Sequence, residues 1–284
     1  MLAAAVLALA QIAPAATPPL AAPSPPTVSA PAHRDRGLRF PDGAIAFIPA
    51  SAVPSPSKGA PLLVLLHGAG HRELDLVRHF ADEAEARGIV LLAPSARGVT
   101  WDTVSTAEDP PSRYSALANE RARRFTGSPD AGRVEAAIAE LARAVPVDRA
   151  RTVLAGFSDG ATFALAMGMS REHAFAAVIA WSPGIAIRTA DPAKGRRVFI
   201  SHGRQDPILR YSDTCGEIVP LVESEGAAVA FVPFDGGHDA PPAVKDAFLD
   251  AVFGPVAGAP PHPLAASVDK CMRRHDDPED EIMR

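Results

Sequence analysis

The stretch AGFSDGA at residues 155–161 determines how the rest of this chain is interpreted. It follows the short β-branched and apolar run Arg151–Leu154 and precedes Thr162–Met167, whose composition is typical of a helix. A strand, a Gly-x-Ser-x-Gly turn and a helix form a nucleophile elbow, because the sharp, strained turn lifts the serine hydroxyl clear of the sheet. The two glycines lack the Cβ atoms that would collide where strand and helix approach each other. The pattern predicts a nucleophile at Ser158; a chance glycine–serine turn is the alternative.

Short apolar runs alternate with amphipathic helices on both sides of this stretch. The predicted strands are Leu62–Leu66, Ile89–Ala93, Ala176–Trp181, Arg197–Ser201 and Ala228–Val232. The predicted helices are Arg72–Arg87, Ala131–Val145, Tyr211–Glu225 and Val244–Phe253. Pro220 should kink the third of these helices. Such alternation predicts an α/β fold with a mostly parallel central sheet and helices on both faces. In such sheets ligands bind outside the carboxyl ends of the strands.

Composition and the two ends set the domain boundaries. With 284 residues, 47% of them hydrophobic and 21% charged, the chain has the size and composition of one large α/β domain. We place this domain at residues 36–254, between a leader and Pro/Ala-rich linker at 1–35 and a Pro-rich, acidic tail at 255–284. The net charge of −5 gives no reason to expect a nucleic-acid partner.

Residues 1–16 have the pattern of a secretory leader, with an apolar run at Leu2–Ile12 followed by small residues that suit cleavage. The run is too short to span a bilayer as a mature helix, so we expect no stable membrane insertion. We expect a periplasmic or secreted protein. The alternative is a low-complexity extension of a cytoplasmic protein, because no Lys or Arg precedes the apolar run.

Three predicted strand ends carry the residues of a catalytic triad: Ser158, Asp206 and His238. Histidine can accept and return a proton near neutral pH, which a serine hydroxyl needs in order to attack. A carboxylate fixes the imidazole tautomer and stabilises the imidazolium. We therefore predict Ser158 as nucleophile, His238 as base and Asp206 as acid. The tetrahedral oxyanion needs preorganised donors, which we assign to the backbone N–H groups of Ala69 and Asp159.

Other side chains compete for these roles. Asp191 and Asp213 are alternative acids, but the first precedes its strand and the second lies in a predicted helix. His202 is interpreted as structural, because it belongs to the block that positions Asp206. No residues stand at metal-ligand spacing, so no metal site is expected.

Five blocks of the sequence resemble the phospholipase/carboxylesterase branch of the serine α/β-hydrolases. They are HG at 67–68, SARGVTWD at 95–102, GFSDG at 156–160, SHGRQD at 201–206 and GGH at 236–238. The resemblance covers about residues 61–253. It implies an α/β-hydrolase fold and an esterase that acts on carboxylic esters or thioesters without a metal or cofactor. The chain departs from the pattern at Asp159, where many relatives carry Gln.

The expected partner is a small-molecule ester, with a short acyl or small aromatic group. His67, Gly70 and Trp101 are the predicted substrate-binding residues; packing of Trp101 under the long connection at 94–129 is the alternative. The segment Pro183–Gly195 is too short for a separate lid domain, so that connection is the candidate cover. A polyester depolymerase, a serine peptidase and a catalytically silent binding protein stay open as alternatives. Nothing in the sequence specifies the oligomeric state.

Cys215 and Cys271 are the only cysteines in the chain. In an oxidising compartment two cysteines commonly pair, and a bridge between them would hold the tail against the domain. The alternative is a pair of unrelated thiols.

Overall fold

An eight-stranded sheet forms the centre of the part of the chain that the structure describes. In the computed structural model this part comprises residues 37–52, 59–70, 72–105, 124–125, 127–185 and 187–264. The predicted leader and linker, residues 106–123 of the long connection, Cys271 and the tail beyond residue 264 lie outside the described residues.

The strands of this sheet are β1 (Gly37–Arg39), β2 (Ile45–Phe47), β3 (Ala60–Leu66), β4 (Val90–Ala93), β6 (Val147–Phe157), β7 (Ala177–Trp181), β9 (Arg197–Gly203) and β10 (Ala228–Phe234). Their order across the sheet is β1-β2-β4-β3-β6-β7-β9-β10. The pairings β1–β2 and β2–β4 at one edge are antiparallel. All pairings from β4 to β10 are parallel. The mostly parallel central sheet predicted from the sequence is confirmed.

Helices cover both faces of this sheet. They are α1 (Glu73–Arg87), α2 (Asp102–Ser105), α3 (Pro129–Ala144), α4 (Asp159–Met169), α5 (Tyr211–Asp213), α6 (Val219–Ser224) and α7 (Pro242–Phe253). Leu62 and Val64 of β3 share an apolar core with residues of α3 and α4. Leu63 and Leu65 share a second core with residues of α1 and α7. Because successive side chains of a strand point to opposite faces, these two cores lie on opposite sides of the sheet.

Local sequence signals set the ends of two of these helices. α1 ends at Gly88, whose φ of 65° is left-handed and therefore favours glycine. α3 begins after Ser128, whose side chain accepts a hydrogen bond from the Ala131 N–H at 2.9 Å. Pro129 takes the first helical position, where its missing N–H is not needed.

The helix predicted at 211–225 is divided by a π-helical turn, Thr214–Ile218, which lies between α5 and α6. Pro220 has no N–H and cannot make the hydrogen bond of a continuous α-helix. Just before it, the Val219 N–H bonds to the Thr214 carbonyl group, five residues back. The kink predicted at Pro220 therefore takes the form of a π-helical turn, in which Thr214 is fully buried.

A second, two-stranded sheet connects two segments outside the main sheet. β5 (Arg124–Phe125) pairs in parallel with β8 (Arg188–Thr189). β5 ends the long connection, and β8 lies between β7 and β9, in a segment that the sequence predicts as loop. Among the described residues of that segment, β8 is the only strand and no helix occurs.

The first part of the predicted tail lies against α7. Both the N–H and the ring Nδ1 of His262 are bonded to Asp250 Oδ2, at 2.9 and 2.8 Å. The other oxygen of Asp250 accepts a hydrogen bond from Arg87 at 2.6 Å. Within the described ranges, no helix combines the length and apolar character needed to cross a bilayer.

Candidate active site

Ser158 occupies the sharp turn between β6 and α4. Its φ of 57° and ψ of −122° are values that residues with a side chain rarely adopt and that cluster at functional sites. Its N–H donates to the Trp181 carbonyl oxygen at 2.9 Å, which ties the turn to the neighbouring strand β7. Its side chain makes no capping hydrogen bond, so the hydroxyl is not committed to the helix. This is the conformation of a nucleophile elbow.

The glycines on either side of Ser158 allow three elements to meet there. A Cβ atom on Gly156 would collide with the Gly160 carbonyl group, and one on Gly160 would collide with the carbonyl groups at the end of β3. A Cβ atom on Gly68 would lie 3.2 Å from the Cβ of Ser158. The loop after β3, residues 67–70, therefore lies directly beside the serine; we call it the oxyanion loop.

Asp206 and His238 form the second part of the site. The Asp206 side chain is fully buried, and its Oδ2 lies 2.7 Å from His238 Nδ1. Its Oδ1 accepts hydrogen bonds from the N–H groups of Ile208 and Leu209, at 2.8 and 2.9 Å. An ionised carboxylate only accepts, so Nδ1 carries the ring proton and Nε2 is left to accept another. The Phe157 ring packs against the imidazole, with ring centroids 4.7 Å apart.

The hydrogen bonds to Asp206 keep it ionised. Burial by itself raises the pKa of this carboxyl group. The hydrogen bonds from the Leu209 N–H, from His238 and from the Ile208 N–H outweigh burial, and the pKa is lowered from its usual value. At neutral pH the group is therefore a carboxylate that can orient the imidazole and stabilise an imidazolium.

Contacts between neighbouring loops bring these two residues together. The Gln205 N–H donates to the Gly236 carbonyl oxygen at 3.0 Å, which continues the β9–β10 pairing into the loops that carry the acid and the base. Ser182, fully buried after β7, donates from its hydroxyl to the Asp239 carbonyl oxygen at 3.3 Å. Its φ of 52° is again left-handed. The loop of His238 is thus held from both β7 and β9.

The two alternative acids are engaged elsewhere. Asp191 forms an exposed ion pair with Arg171 at 3.2 Å. Asp213 is buried and binds Arg210 Nε at 3.1 Å. Asp206 is the carboxylate that contacts His238.

The structure places both predicted oxyanion donors beside Ser158. Asp159 is the first residue of α4, so its N–H has no partner within the helix and adds to the positive end of the helix dipole. Its carboxylate is held away by Thr100, whose hydroxyl donates to Oδ2 at 2.7 Å. Ala69 is exposed in the oxyanion loop and, with Ser158, borders a cavity. A tetrahedral oxyanion needs backbone donors of this kind, and the roles of Ala69 and Asp159 stay predictions.

The cavity beside Ser158 has a volume of about 510 Å³. It lies between the sheet, one face of α1 and the loop that follows His238. Residues that border it include Leu65, Ala69, Leu76, His79, Phe80, Phe157, Ser158, Trp181, Ile208, His238 and Asp239. Burial, with the nearby Lys245 ammonium, lowers the pKa of His79, so this ring is neutral at pH 7. Arg72 and Asp75 also border the cavity, and the rest of its lining is mainly apolar.

Trp101 does not border this cavity, which corrects its prediction as a substrate-binding residue. Its side chain is completely buried and stacks on Phe163, with ring centroids 4.8 Å apart. Its indole N–H donates to the His67 carbonyl oxygen at 2.8 Å. Trp101 therefore supports the oxyanion loop from below. A large aromatic side chain fills the core more readily than it stays exposed beside a cavity.

The other two predicted substrate-binding residues, His67 and Gly70, lie in the oxyanion loop. Gly70 is outside the cavity lining; its N–H donates to the Val99 carbonyl oxygen at 2.8 Å. His67 borders the cavity, but its side chain is fully buried and its Nε2 accepts a hydrogen bond from the Ala96 N–H at 3.2 Å. Gly70 is exposed and has no side chain, and the His67 ring is buried, so neither residue offers a side chain to a substrate.

Several residues at the site have no sequence signal of their own. Thr100 and Ser182 are small polar residues whose partners lie far along the chain. Leu76 and His79 follow the helical spacing of α1, but periodicity does not distinguish a face that borders a cavity from one that packs on the sheet. In the described ranges, no group of three or more His, Cys, Asp and Glu residues is arranged to hold a metal ion.

A largely parallel sheet that presents a strained serine after one strand and a bonded Asp–His pair after two others defines the α/β-hydrolase class. The sequence model of the Phospholipase/Carboxylesterase family matches residues 49–231. The chain belongs to this family. Comparison with curated proteins gave no significant match.

Solved structures with the same fold include several hydrolases. The Bacillus cereus carboxylesterase is 23% identical, with a TM-score of 0.52, over 74% of this chain and 94% of that one. Esterase PE8 is 23% identical, with a TM-score of 0.50, over 76% of this chain and 100% of that one. The Pyrococcus horikoshii acylaminoacyl peptidase is 13% identical, with a TM-score of 0.52, over 79% of this chain and 42% of that one. At these identities the three structures share the fold, and nothing about substrates follows from them.

Proposed function

We propose that this protein hydrolyses carboxylic esters through an acyl-enzyme intermediate on Ser158. One observation carries the proposal. The strained serine borders the same cavity as His238, and Asp206 binds that histidine at 2.7 Å.

The chemistry follows from the roles of these groups. His238 Nε2 accepts the hydroxyl proton as the Ser158 oxygen attacks the ester carbonyl carbon. The N–H groups of Ala69 and Asp159 donate to the oxyanion of the tetrahedral intermediate. The imidazolium returns its proton to the departing alcohol, which leaves an acyl group on the serine. A water molecule, deprotonated by the same imidazole, then releases the acid and restores the hydroxyl group.

The cavity supports small apolar esters as substrates. Its volume of about 510 Å³ lies in the lower half of the range of ordinary ligand pockets. Leu76, Phe80 and Trp181 supply apolar surface near the serine. Short-chain acyl esters and small aromatic esters therefore suit the site, and activity without a lipid interface is expected.

A series of p-nitrophenyl esters from acetate to palmitate tests this proposal. The wild-type protein should turn over the short members best, and Ser158→Ala and His238→Ala should each lose several orders of magnitude in kcat, since triad members act as a unit. Ser170→Ala is the matched control, because Ser170 lies at the opposite end of α4. Wild-type kcat in Ser158→Ala would refute the assignment.

Two further substrates separate the alternatives. A peptide p-nitroanilide hydrolysed faster than any ester would indicate a peptidase. Release of soluble acid from a polyester film would indicate a depolymerase. Absence of turnover on every substrate, with a folded protein, would favour a binding function.

We also propose that the protein acts in the periplasm or outside the cell. Cys215 is disulfide-bonded in the structure, and disulfides persist mainly in oxidising compartments; the other cysteine, Cys271, lies outside the described residues. Cell fractionation tests the proposal. Full-length protein that stays in the cytoplasm with its cysteines reduced would contradict it.

A further inference from the structure

A second histidine contacts the acid of the triad. The side chain of His202 in β9 is fully buried, and its Nε2 lies 3.1 Å from Asp206 Oδ2, the oxygen that also binds His238. The same Nε2 lies 2.9 Å from the Leu209 carbonyl oxygen. The four contacts of the Asp206 carboxylate are thus His238, His202 and two backbone N–H groups.

The surroundings determine which ring nitrogen of His202 carries a proton. Both oxygens that face Nε2 are acceptors, so a lone pair at Nε2 would be repelled by both. Nε2 therefore carries a proton and donates. Burial lowers the pKa of His202, which favours the neutral ring with its lone pair on Nδ1. The ring of Tyr211 packs edge-on against the imidazole, with centroids 6.3 Å apart.

Thr214 holds the opposite side of this ring. Its hydroxyl lies 2.7 Å from His202 Nδ1 and 3.0 Å from the Pro183 carbonyl oxygen. The one hydroxyl proton has two acceptors within reach, the Pro183 carbonyl oxygen and Nδ1, and in either orientation the contact with Nδ1 holds the ring so that Nε2 faces Asp206. Thr214 is fully buried and begins the π-helical turn 214–218. This turn therefore supplies a partner that anchors the histidine from behind.

We propose that His202, held by Thr214, is a positioning residue for Asp206: it donates a second hydrogen bond to Oδ2 and fixes the orientation of the carboxylate toward His238. The proposal rests on the hydrolytic function proposed above. It extends the hydrogen-bonded chain from the serine through base and acid to a buried threonine. His202 is not among the residues that border the cavity.

Two pairs of variants test this role through ester hydrolysis. His202→Leu removes the donor, whereas His202→Gln keeps an N–H group near the position of Nε2. Thr214→Val removes the hydroxyl at nearly constant shape, whereas Thr214→Ser keeps it. We expect His202→Leu to lose about tenfold or more in kcat/KM, mainly in kcat, and Thr214→Val to lose less. The Gln and Ser variants should recover most of the rate.

The pH profile separates positioning from simple loss of stability. Loss of one hydrogen-bond donor makes the Asp206 carboxylate more basic, which raises its own pKa and also the pKa of the His238 imidazolium that it stabilises. In His202→Leu the acid limb of kcat/KM should therefore move to higher pH, by about 0.5 unit. His173→Leu is the matched control: His173 is also buried but pairs with Glu135, so its loss should lower stability without moving the limb.

A spectroscopic measurement distinguishes failure of this inference from failure of the proposed function. In histidine ¹⁵N-labelled protein, the Nδ1–H signal of His238 should be sharp in the wild type and in His202→Gln. It should broaden through exchange with water in His202→Leu. This result, without Ser158-dependent hydrolysis, would uphold the positioning role and refute the esterase proposal.

Retention of the sharp signal and of the wild-type pH profile in His202→Leu would overturn the inference. If that variant does not fold, the comparison of Thr214→Val with Thr214→Ser decides. Identical pH profiles and signals in those two variants would overturn it as well.

Discussion

Replacement of Asp206 by Asn changes one atom of the site and has a defined consequence. Oδ1 accepts two backbone N–H groups, from Ile208 and Leu209. An asparagine must therefore keep its carbonyl oxygen at that position, because backbone N–H groups always donate, whereas the two histidine rings that face Oδ2 can change tautomer. The NH₂ group then occupies the Oδ2 position and donates toward His238 Nδ1. The imidazole is driven to the tautomer with its proton on Nε2, the nitrogen that should accept the proton of Ser158.

The expected loss of kcat follows because Asp206→Asn removes the general base and leaves the rest of the site in place. Replacing the triad aspartate by asparagine in the serine-protease example costs about 10⁴-fold in kcat. The oxyanion donors and the cavity are unchanged by Asp206→Asn. We therefore expect a loss of about 10³- to 10⁴-fold, which corresponds to about 4 to 5.5 kcal/mol of transition-state stabilisation. KM should change little, because Asp206 is not part of the cavity lining.

The assay is steady-state hydrolysis of p-nitrophenyl acetate across pH 5 to 10, with thermal unfolding to confirm the fold. Asp213→Asn is the matched control, because Asp213 is also a buried aspartate but binds Arg210 instead of His238. A loss of less than tenfold in Asp206→Asn, or a greater loss in Asp213→Asn, would refute the assignment of the acid.

Three further predictions concern the structural supports of the site. Asp250→Asn leaves the buried Arg87 guanidinium with a weakened partner, so urea unfolding at pH 7 should show a loss of about 3 kcal/mol. Hydrogen bonds lower the pKa of Asp250 despite its burial, so this stabilisation should persist down to about pH 4 and decline below it. A difference in free energy of unfolding between the wild type and Asp250→Asn that grows on acidification would contradict the pairing. Trp101→Phe keeps the stacking but loses the indole N–H. The oxyanion loop should loosen, and kcat should fall severalfold. An unchanged kcat would show that the loop does not need this hydrogen bond. Thiol titration of the unfolded, unreduced exported protein should find neither Cys215 nor Cys271 free; two free thiols would exclude a bridge.

Much of the fold is predictable because its signals are local. Apolar runs and helical periodicity indicate the strands and helices, and the chain order of serine, aspartate and histidine at strand ends places these residues at one edge of the sheet. The structure brings Asp206 against His238 through the β9–β10 register, in which Gly203 pairs with Phe234. Parallel pairing and short loops leave little freedom for any other arrangement.

The prediction of Trp101 as a substrate-binding residue was wrong for a physical reason. Its position in the sequence shows that it follows a strand end, but whether the ring turns to the cavity or to the core depends on Phe163, which lies about sixty residues away in α4. Similarly, His262 binds Asp250 across a segment without helix or strand, so the start of the tail carried no local signal of its contact with α7. Long-range packing determines the contacts of such residues, and local sequence patterns do not reveal which distant residues pack together.

The network behind Asp206 was only partly predictable. Its block in the sequence indicated that His202 is structural, yet the contact with Thr214 depends on the π-helical turn. Pro220 predicted a kink in the helix but not that the kink would be a π-helical turn. Left-handed backbone at Ser182 has no counterpart in its sequence, because a serine favours no such conformation.

Covalent labelling tests the catalytic role of Ser158 most directly. The protein is incubated with diethyl p-nitrophenyl phosphate, and the added mass, its position and the residual ester hydrolysis are measured by peptide mass spectrometry and kinetics. One diethylphosphoryl group per chain should be found on the peptide that contains Ser158, with activity lost in the same proportion, and Ser158→Ala should remain unlabelled. Phosphorylation of another residue with the same loss of activity, or full activity after Ser158 has been phosphorylated, would contradict the proposed mechanism.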